Sequence, residues 1–198
     1  SKERVQRQII GSYSIAMEVF ETQIDGCFII EPNVFEDKRG YFLESYNQEK
    51  FELLTGAKPF FVQDNESFSV KGVLRGLHFQ KGEHAQAKLV RVLEGEVLDV
   101  AVDIRPSSKT FGKVVSTLLS ANNKKQMFIP RGCAHGFVTL SDTAKFFYKC
   151  DNFYNAESEG GIIYNDSTFN IDWILNEEDL IISDKDKILP VFKEAVPH

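Results

Sequence analysis

The chain has 198 residues, of which 42% are hydrophobic and 26% are charged, enough for one globular domain with a sizeable core. Its formal net charge of −6 argues against a surface built to coat nucleic acid or an anionic membrane. No apolar run approaches the roughly 18 residues that span a bilayer, so we expect neither a nucleic-acid nor a membrane partner.

Cysteine usage and the N-terminus bear on the compartment and the domain boundary. The three cysteines are odd in number and lack CxxC spacing, which favours reduced thiols in a cytoplasmic protein. Residues 1–16 lack the apolar block of a signal peptide, and Met17 follows them in the position of a start residue. We expect residues 1–16 to be a non-native or flexible extension and residues 17–198 to form a single domain.

Strands dominate the predicted elements, and helices are few and short. In chain order the predicted strands are Cys27–Pro32, Gly40–Ser45, Phe60–Gln63, Val73–Gln80, Lys88–Leu93, Val97–Arg105, Val114–Leu119, Gln126–Ile129, Gly136–Leu140, Lys145–Cys150 and Gly161–Tyr164. A helix is predicted over Gln48–Thr55, with Asn47 as its N-cap and Gly56 as its stop. Two more short helical stretches are expected near Asn176–Leu180 and from Ser183 or Asp184.

The strand pattern predicts an all-β fold. In Val97–Arg105 apolar side chains recur at every second position, which is typical of a strand with one face in the core. Lys88–Leu93 precedes this strand, and Glu94-Gly95 between them predicts a β-hairpin. Many short strands separated by turn residues indicate a jelly-roll, cupin-like barrel or sandwich with a few short helices.

A metal site is the first chemistry to consider, because small barrels of this kind often hold one. The second histidine of an HxH pair is missing, since His78 is followed by Phe79 and Gln80. His135 ends a PxGxxH-like segment, Pro130 to His135, but one convincing ligand is too few for a site. We therefore predict no metal, and the lack of a GxGxxG segment argues against a nicotinamide cofactor.

Acid–base chemistry suits the histidine of the predicted strand Val73–Gln80 better. Imidazole titrates near neutral pH, and His78 has glycines and Arg75 beside it. In a regular strand these two side chains would face opposite sides, so both reach one pocket only if the strand is bulged or kinked, for which Gly76 is a plausible place. An antiparallel neighbour beginning at Lys88 would bring that lysine close.

The base also needs an orienting carboxylate, and the residues alone leave three aspartates open: Asp103, Asp166 and Asp186. Tyr148 lies in a strongly aromatic strand, which by itself favours a core tyrosine over a general acid.

Six segments, in order, resemble the dTDP-4-dehydrorhamnose 3,5-epimerase family. They are Gln63-Asp64-Asn65, VLRGLHFQ at 73–80, QAKLVR at 86–91, DVAVDIR at 99–105, IPRGCAHGF at 129–137 and Tyr148-Lys149-Cys150. The resemblance implies a jelly-roll homodimer that uses neither metal nor organic cofactor. It also implies conversion of dTDP-4-dehydro-6-deoxy-D-glucose to dTDP-4-dehydro-L-rhamnose, a step in dTDP-L-rhamnose and polysaccharide biosynthesis.

The resemblance also implies roles for individual residues. It assigns the base to His78, its carboxylate partner to Asp186, the acid to Tyr148 and a position near the sugar ketone to Lys88. The substrate-binding set that it predicts comprises Arg39, Phe42, Glu44, Gln63, Asn65, Arg75, His135 and Tyr154, with Arg39, Phe42 and Glu44 contributed by the neighbouring subunit.

Three other functions remain open from the sequence. An epimerase acting at only one centre, C3 or C5, of a related dTDP-ketosugar would use the same residues. A metal-dependent cupin enzyme would need the ligand that Gln80 replaces. A non-catalytic sugar-binding barrel would not need His78, Tyr148 and Asp186 together.

Overall fold

The computed structural model describes residues 17–196 of the chain. The expectation for residues 1–16 lies outside the described residues. Within 17–196 the strands are β1 (Met17–Glu21), β2 (Phe28–Pro32), β3 (Val34–Asp37), β4 (Gly40–Leu43), β5 (Gln63–Val70), β6 (Val73–Gln80), β7 (Lys88–Glu94), β8 (Glu96–Asp103), β9 (Val114–Ser120), β10 (Gln126–Ile129), β11 (Cys133–Thr139), β12 (Thr143–Cys150), β13 (Glu159–Gly161) and β14 (Ile181–Ile182). The α-helices are α1 (Gln48–Thr55), α2 (Asp184–Lys187) and α3 (Phe192–Ala195), and 3-10 turns lie at Gly82–His84, Ala156–Ser158 and Glu177–Asp179.

Two sheets pack face to face, which confirms the predicted jelly-roll sandwich with few short helices. The first sheet has the order β1-β2-β10-β7-β12-β5, and the second has the order β13-β6-β11-β8-β9, with β14 pairing in parallel with β6. The strands β3 and β4 form a separate hairpin.

The core has three parts that follow from this layering. Between the sheets lies a cluster that includes Val90, Ala101 and Phe146. The outer face of the first sheet is covered by α1 through Phe51, whose ring lies 5.0 Å from that of Phe128. The outer face of the second sheet is covered by the C-terminal segment, including Trp173, Phe192 and other apolar side chains.

Local patterns placed several elements correctly. The helix α1 begins after Asn47, whose side chain accepts a hydrogen bond from the Lys50 N–H, and ends at Gly56 in the left-handed region. Strands β6 and β10 have the predicted bounds. Helix α2 begins at Asp184, one of the two predicted starts, and Ser183 caps it.

Other predictions were wrong at the level of single elements. The aromatic run at Phe60–Gln63 is not a strand; the strand is β5, which starts at Gln63 and whose alternately exposed residues mark a sheet edge. The segment predicted at Gly161–Tyr164 is a strand only up to Gly161, in β13. Strands β1 and β3 and helix α3 were not predicted.

The predicted hairpin of β7 and β8 is wrong. The two strands belong to different sheets, and Gly95 carries the chain from one sheet to the other with φ at +78°. A Cβ at Gly95 would lie 2.0 Å from the Thr143 carbonyl oxygen, so the crossing is too tight for a side chain. Strand β8 is also buried on both faces, because its second face lies between the sheets instead of facing solvent.

Candidate active site

A cavity of about 540 Å³ opens between the two sheets. Such a volume is typical of sites that take a small ligand. It is lined by Ser67, Val73, Leu74, Arg75, His78, Lys88, His135, Gly136, Phe137, Phe146, Tyr148, Ile181, Ile182, Ser183, Lys185 and Asp186. All four predicted catalytic side chains therefore meet in one cavity, together with Arg75 and His135.

A bulge in β6 brings Arg75 and His78 to the same side. Along β11, His135 pairs with His78 and Phe137 pairs with Arg75, so three steps on β6 oppose two on β11. Because His135 and Phe137 share a face, their partners on β6 share it too. The kink predicted at Gly76 is confirmed: this residue has φ of +124°, and a Cβ there would lie 2.7 Å from the Gly136 Cα.

Asp186 engages the ring of His78. The distance from His78 Nε2 to Asp186 Oδ1 is 2.7 Å, and the Gly76 N–H donates to Oδ2 at 3.2 Å. The carboxylate is buried, whereas the imidazole is 32% exposed towards the cavity. Burial raises the pKa of Asp186, but the hydrogen bond and charge of His78, followed by the Gly76 N–H, outweigh it and hold the pKa below its ordinary value. The carboxylate therefore stays ionised beside the ring.

The structure also separates the three aspartates that the sequence left open. Asp103 accepts hydrogen bonds from Arg105, Ser108 and Thr110 instead of a histidine. Asp166 accepts from the backbone N–H groups of Thr168 and Phe192 and fastens the C-terminal segment. Only one of the three, Asp186, reaches His78.

Tyr148 and Lys88 face this pair from the first sheet. Strands β6 and β7 are not neighbours in one sheet, so the predicted antiparallel pairing is wrong, and Lys88 reaches the cavity from the opposite wall. The Lys88 Nζ lies 5.6 Å from the centroid of the Tyr148 ring. The pKa of Lys88 lies below its ordinary value because burial lowers it. The nearby Cys150 thiol and the Asp99 and Glu159 carboxylates act in the opposite direction but do not outweigh burial.

His135 forms a second histidine–aspartate pair. Its Nε2 lies 2.7 Å from Oδ1 of Asp99, and both side chains are buried. The ring stacks on Phe146 at 5.9 Å between centroids, which joins the second sheet to the first. Asp99 was not predicted as a partner, although an acid in the middle of an apolar strand is a usable signal for a buried polar contact.

Three of the predicted substrate-binding residues lie outside the cavity of their own chain. Arg39 lies at the turn of the β3–β4 hairpin, paired with Asp37. Phe42 on the same hairpin is 69% exposed, and Glu44 after it pairs with Lys50 at 2.8 Å. Their contribution to a neighbouring subunit's site stays a prediction.

Three others, Gln63, Asn65 and Tyr154, are hydrogen-bonded in series without lining the cavity. Gln63 Nε2 donates to Oδ1 of Asn65 at 3.2 Å, and Gln63 Oε1 accepts from the Tyr154 N–H at 3.1 Å. The Tyr154 hydroxyl donates to Oε2 of Glu159, an oxygen that also accepts from Lys185 at 2.7 Å.

Two cavity residues of the C-terminal segment, Ser183 and Lys185, were not predicted as site residues. Both belong to the S-x-K-D segment that ends at Asp186, and the packing of α2 on β6 brings them to the cavity. In residues 17–196 no three His, Cys, Asp or Glu side chains form a group that could hold a metal ion. No helix in this part of the chain is long and apolar enough to cross a membrane.

Comparison with known proteins identifies relatives over almost the whole chain. A family model described as dTDP-4-dehydrorhamnose 3,5-epimerase matches residues 21–194. The protein of that name from Salmonella typhimurium is 54% identical over 180 residues, covering 91% of this chain and 98% of that protein.

Solved structures give the same result. The crystal structure of dTDP-4-dehydrorhamnose 3,5-epimerase from Elizabethkingia anophelis superposes with a TM-score of 0.89 at 60% identity, covering 91% of this chain and 99% of the other. An epimerase from Legionella pneumophila, solved in complex with dTDP-4-keto-L-rhamnose, superposes with a TM-score of 0.87 at 49% identity and covers 92% and 98% of the two chains.

Proposed function

This chain belongs to the dTDP-4-dehydrorhamnose 3,5-epimerase family, and from the contents of its cavity we propose how it carries out that reaction. The substrate is dTDP-4-dehydro-6-deoxy-D-glucose and the product is dTDP-4-dehydro-L-rhamnose. The observation that carries the proposal is the meeting of the His78–Asp186 pair and Tyr148 in one cavity, with Lys88 beside the phenol.

The chemistry requires proton transfer alone. A ketone at C4 acidifies the protons on C3 and C5, because the carbanion that remains delocalises onto the ketone oxygen. Removing a proton from one face of the carbon and returning one to the other face inverts the centre. The site must therefore supply a base, an acid on the opposite side and a positive group at the oxygen.

His78 is the base in this proposal. Its Nε2 is held by Asp186, which leaves Nδ1 as the nitrogen that accepts the substrate proton. The ionised carboxylate fixes the tautomer and stabilises the imidazolium that forms. Because the Gly76 N–H holds the second oxygen of Asp186, the carboxylate cannot turn away from the ring.

Tyr148 is the acid. It approaches from the first sheet, whereas His78 belongs to the second, so a sugar ring between the sheets would present one face to each. Burial raises the pKa of Tyr148, which keeps the phenol protonated near neutral pH. Lys88, from the same sheet, is placed to stabilise the enolate oxygen, an effect of roughly 3 kcal/mol for a single such donor in other enzymes.

We also propose that the protein works as a cytoplasmic homodimer. The β3–β4 hairpin supports this, because its aromatic side chains Phe35, Tyr41 and Phe42 are each more than half exposed. In a dimer this hairpin would bring Arg39, Phe42 and Glu44 to the nucleotide bound by the partner. The free, buried thiols of the three cysteines are typical of a reducing compartment.

The test is incubation with dTDP-4-dehydro-6-deoxy-D-glucose in deuterated water, followed by NMR of the sugar ring. We expect the wild-type protein to incorporate deuterium at both C3 and C5. His78→Ala should abolish incorporation at both positions. Exchange at either carbon at the wild-type rate in this variant would exclude His78 as the base, and exchange at only one carbon in the wild type would indicate a single-centre epimerase.

Tyr148→Phe separates the acid from the base. Abstraction by His78 persists without the phenol, so inversion should slow more than exchange. The measurement is the ratio of the two rates in the same NMR experiment. Equal loss of both, or loss of neither, contradicts the role of Tyr148.

A further inference from the structure

The amide of Asn65 lies directly beside the phenol of Tyr148. The two residues are partners on the neighbouring strands β5 and β12. Side chains of such cross-strand partners project to the same face with their Cβ atoms about 5 Å apart. Tyr148 lines the cavity, and Asn65 stands next to it without being a lining residue.

Two hydrogen bonds fix which way this amide points. Its Oδ1 accepts from Gln63 Nε2 at 3.2 Å, and Gln63 is itself held because its Oε1 accepts from the Tyr154 N–H. The Nδ2 of Asn65 donates to the sulfur of Cys150 at 3.8 Å. With the oxygen already engaged, the nitrogen side of the amide is the one turned towards Tyr148, and it has a second N–H to donate.

We propose that Asn65 is a positioning residue for Tyr148: its second amide N–H donates to the phenolic oxygen, aims the O–H into the cavity and stabilises the phenolate that remains after proton transfer. The inference rests on the proposed role of Tyr148 as the acid.

The proton balance shows why such a donor matters. When Tyr148 protonates the sugar carbon, its O–H bond breaks, a C–H bond forms, and the electron pair stays on the phenolic oxygen. That oxygen is then a partly buried anion until a proton from solvent replaces the one given up, while the imidazolium of His78 releases its own. Burial and the Cys150 thiol raise the pKa of Tyr148, whereas the neighbouring Asn65 amide and the charge of Arg75 lower it.

The experiment is a double-mutant cycle. Asn65→Ala and Asn65→Asp each remove both amide donors, one without and one with a charge, and each is made in the wild type and in Tyr148→Phe. We expect either substitution to lower kcat for inversion roughly tenfold, with KM and solvent exchange little changed. In the Tyr148→Phe background the same substitution should have no further effect, because no phenolic oxygen is left to receive the bond.

Asn123→Ala is the matched control. The amide of Asn123 makes a comparable set of bonds, to Ser120, Leu118 and Lys125, in the loop after β9 and away from the cavity. It should alter thermal stability without changing the ratio of inversion to exchange.

Two results would overturn the inference while leaving the proposed function intact. One is a loss from Asn65→Ala that multiplies with the loss from Tyr148→Phe. The other is a change confined to KM, which would leave Asn65 with its predicted substrate contact alone. If Tyr148→Phe alone inverts the sugar at the wild-type rate, the proposed function fails, and the inference with it.

Discussion

The two histidine–aspartate pairs of this protein have the same length and opposite surroundings. His78 and His135 are partners on neighbouring strands, and each Nε2 lies 2.7 Å from a carboxylate oxygen. The His78 side chain is 32% exposed and takes its aspartate from the C-terminal helix α2, whereas that of His135 is 8% exposed and takes its aspartate from the same sheet. Hydrogen bonds of equal length therefore do not imply equal roles. The ring of His78 is accessible from the cavity and can carry a proton, whereas the ring of His135 is enclosed by its neighbours.

The second oxygens of the two carboxylates differ as well. Asp186 Oδ2 accepts from the Gly76 N–H, while Asp99 Oδ2 is buried and has no hydrogen-bond partner among residues 17–196. Asp186 is thus held at both oxygens by groups at the bulge of β6. The bulge positions the base and its partner together.

The largest expected effect comes from removing the charge of Asp186. Asp186→Asn keeps the shape but leaves His78 without the carboxylate that fixes its tautomer, so kcat should fall by about 10³–10⁴. The matched variant Asp99→Asn changes the enclosed pair and should lower kcat by no more than about 100-fold, the equivalent of one buried hydrogen bond. Steady-state kinetics on both variants make the measurement, and equal losses would show that the two pairs are not functionally distinct.

Gly76→Ala is expected to break both pairs at once. Its φ of +124° is a conformation that side chains rarely adopt, and a Cβ would press on the His135 carbonyl oxygen at 2.8 Å. The unfolding free energy should fall by about 3 kcal/mol, with loss of activity. Gly56→Ala is the control: it also has positive φ but meets nothing within 4 Å, so denaturant unfolding should show a cost of only about 1–2 kcal/mol. A smaller loss at Gly76 than at Gly56 would contradict the role given to the bulge.

A third buried aspartate, Asp103, has no histidine partner within the described part of the chain and tests how much an ionised buried carboxylate contributes to stability without one. Burial raises the pKa of Asp103, but hydrogen bonds from Arg105, Ser108 and Thr110 lower it to about 2. The unfolded-state pKa is about 3.9, so the ionised carboxylate contributes about 2–3 kcal/mol of stability at neutral pH.

Asp103→Asn should therefore cost about 2–3 kcal/mol at pH 7 without loss of kcat. Because the folded pKa is depressed, this contribution is present above pH 4 and is lost as the pH falls towards 2. Denaturant unfolding of wild type and variant across pH 2–7 should show the two curves converging in acid. Curves that stay parallel would mean that the carboxylate's charge contributes nothing.

Local sequence predicted those features that depend on neighbouring residues. The cap at Asn47 and the stop at Gly56 follow from turn chemistry within four residues, and a helix start at Ser183 or Asp184 was expected. The need for an irregularity at Gly76 followed from the two-residue period of a strand. The motif order also identified His78, Lys88, Tyr148 and Asp186, which line a single cavity.

Strand pairing was not predictable in the same way. The hairpin of β7 and β8 was inferred from a short turn, yet Gly95 passes the chain between sheets, because each strand finds better partners far away in sequence. Lys88 was expected near His78 through pairing and instead meets it across the sandwich. No local pattern distinguishes these arrangements.

The sequence by itself determined which strands have apolar side chains at every second position, where helices start and stop, and which chemical groups are available. Residue patterns left Asp103, Asp166 and Asp186 open and only the resemblance favoured Asp186; the tertiary structure shows the contact of Asp186 with His78 and the place of Asn65 beside Tyr148. The physical reason is that periodicity and capping act over a few residues of chain, whereas these contacts join residues about 80 to 110 positions apart. Such contacts form only when whole sheets pack.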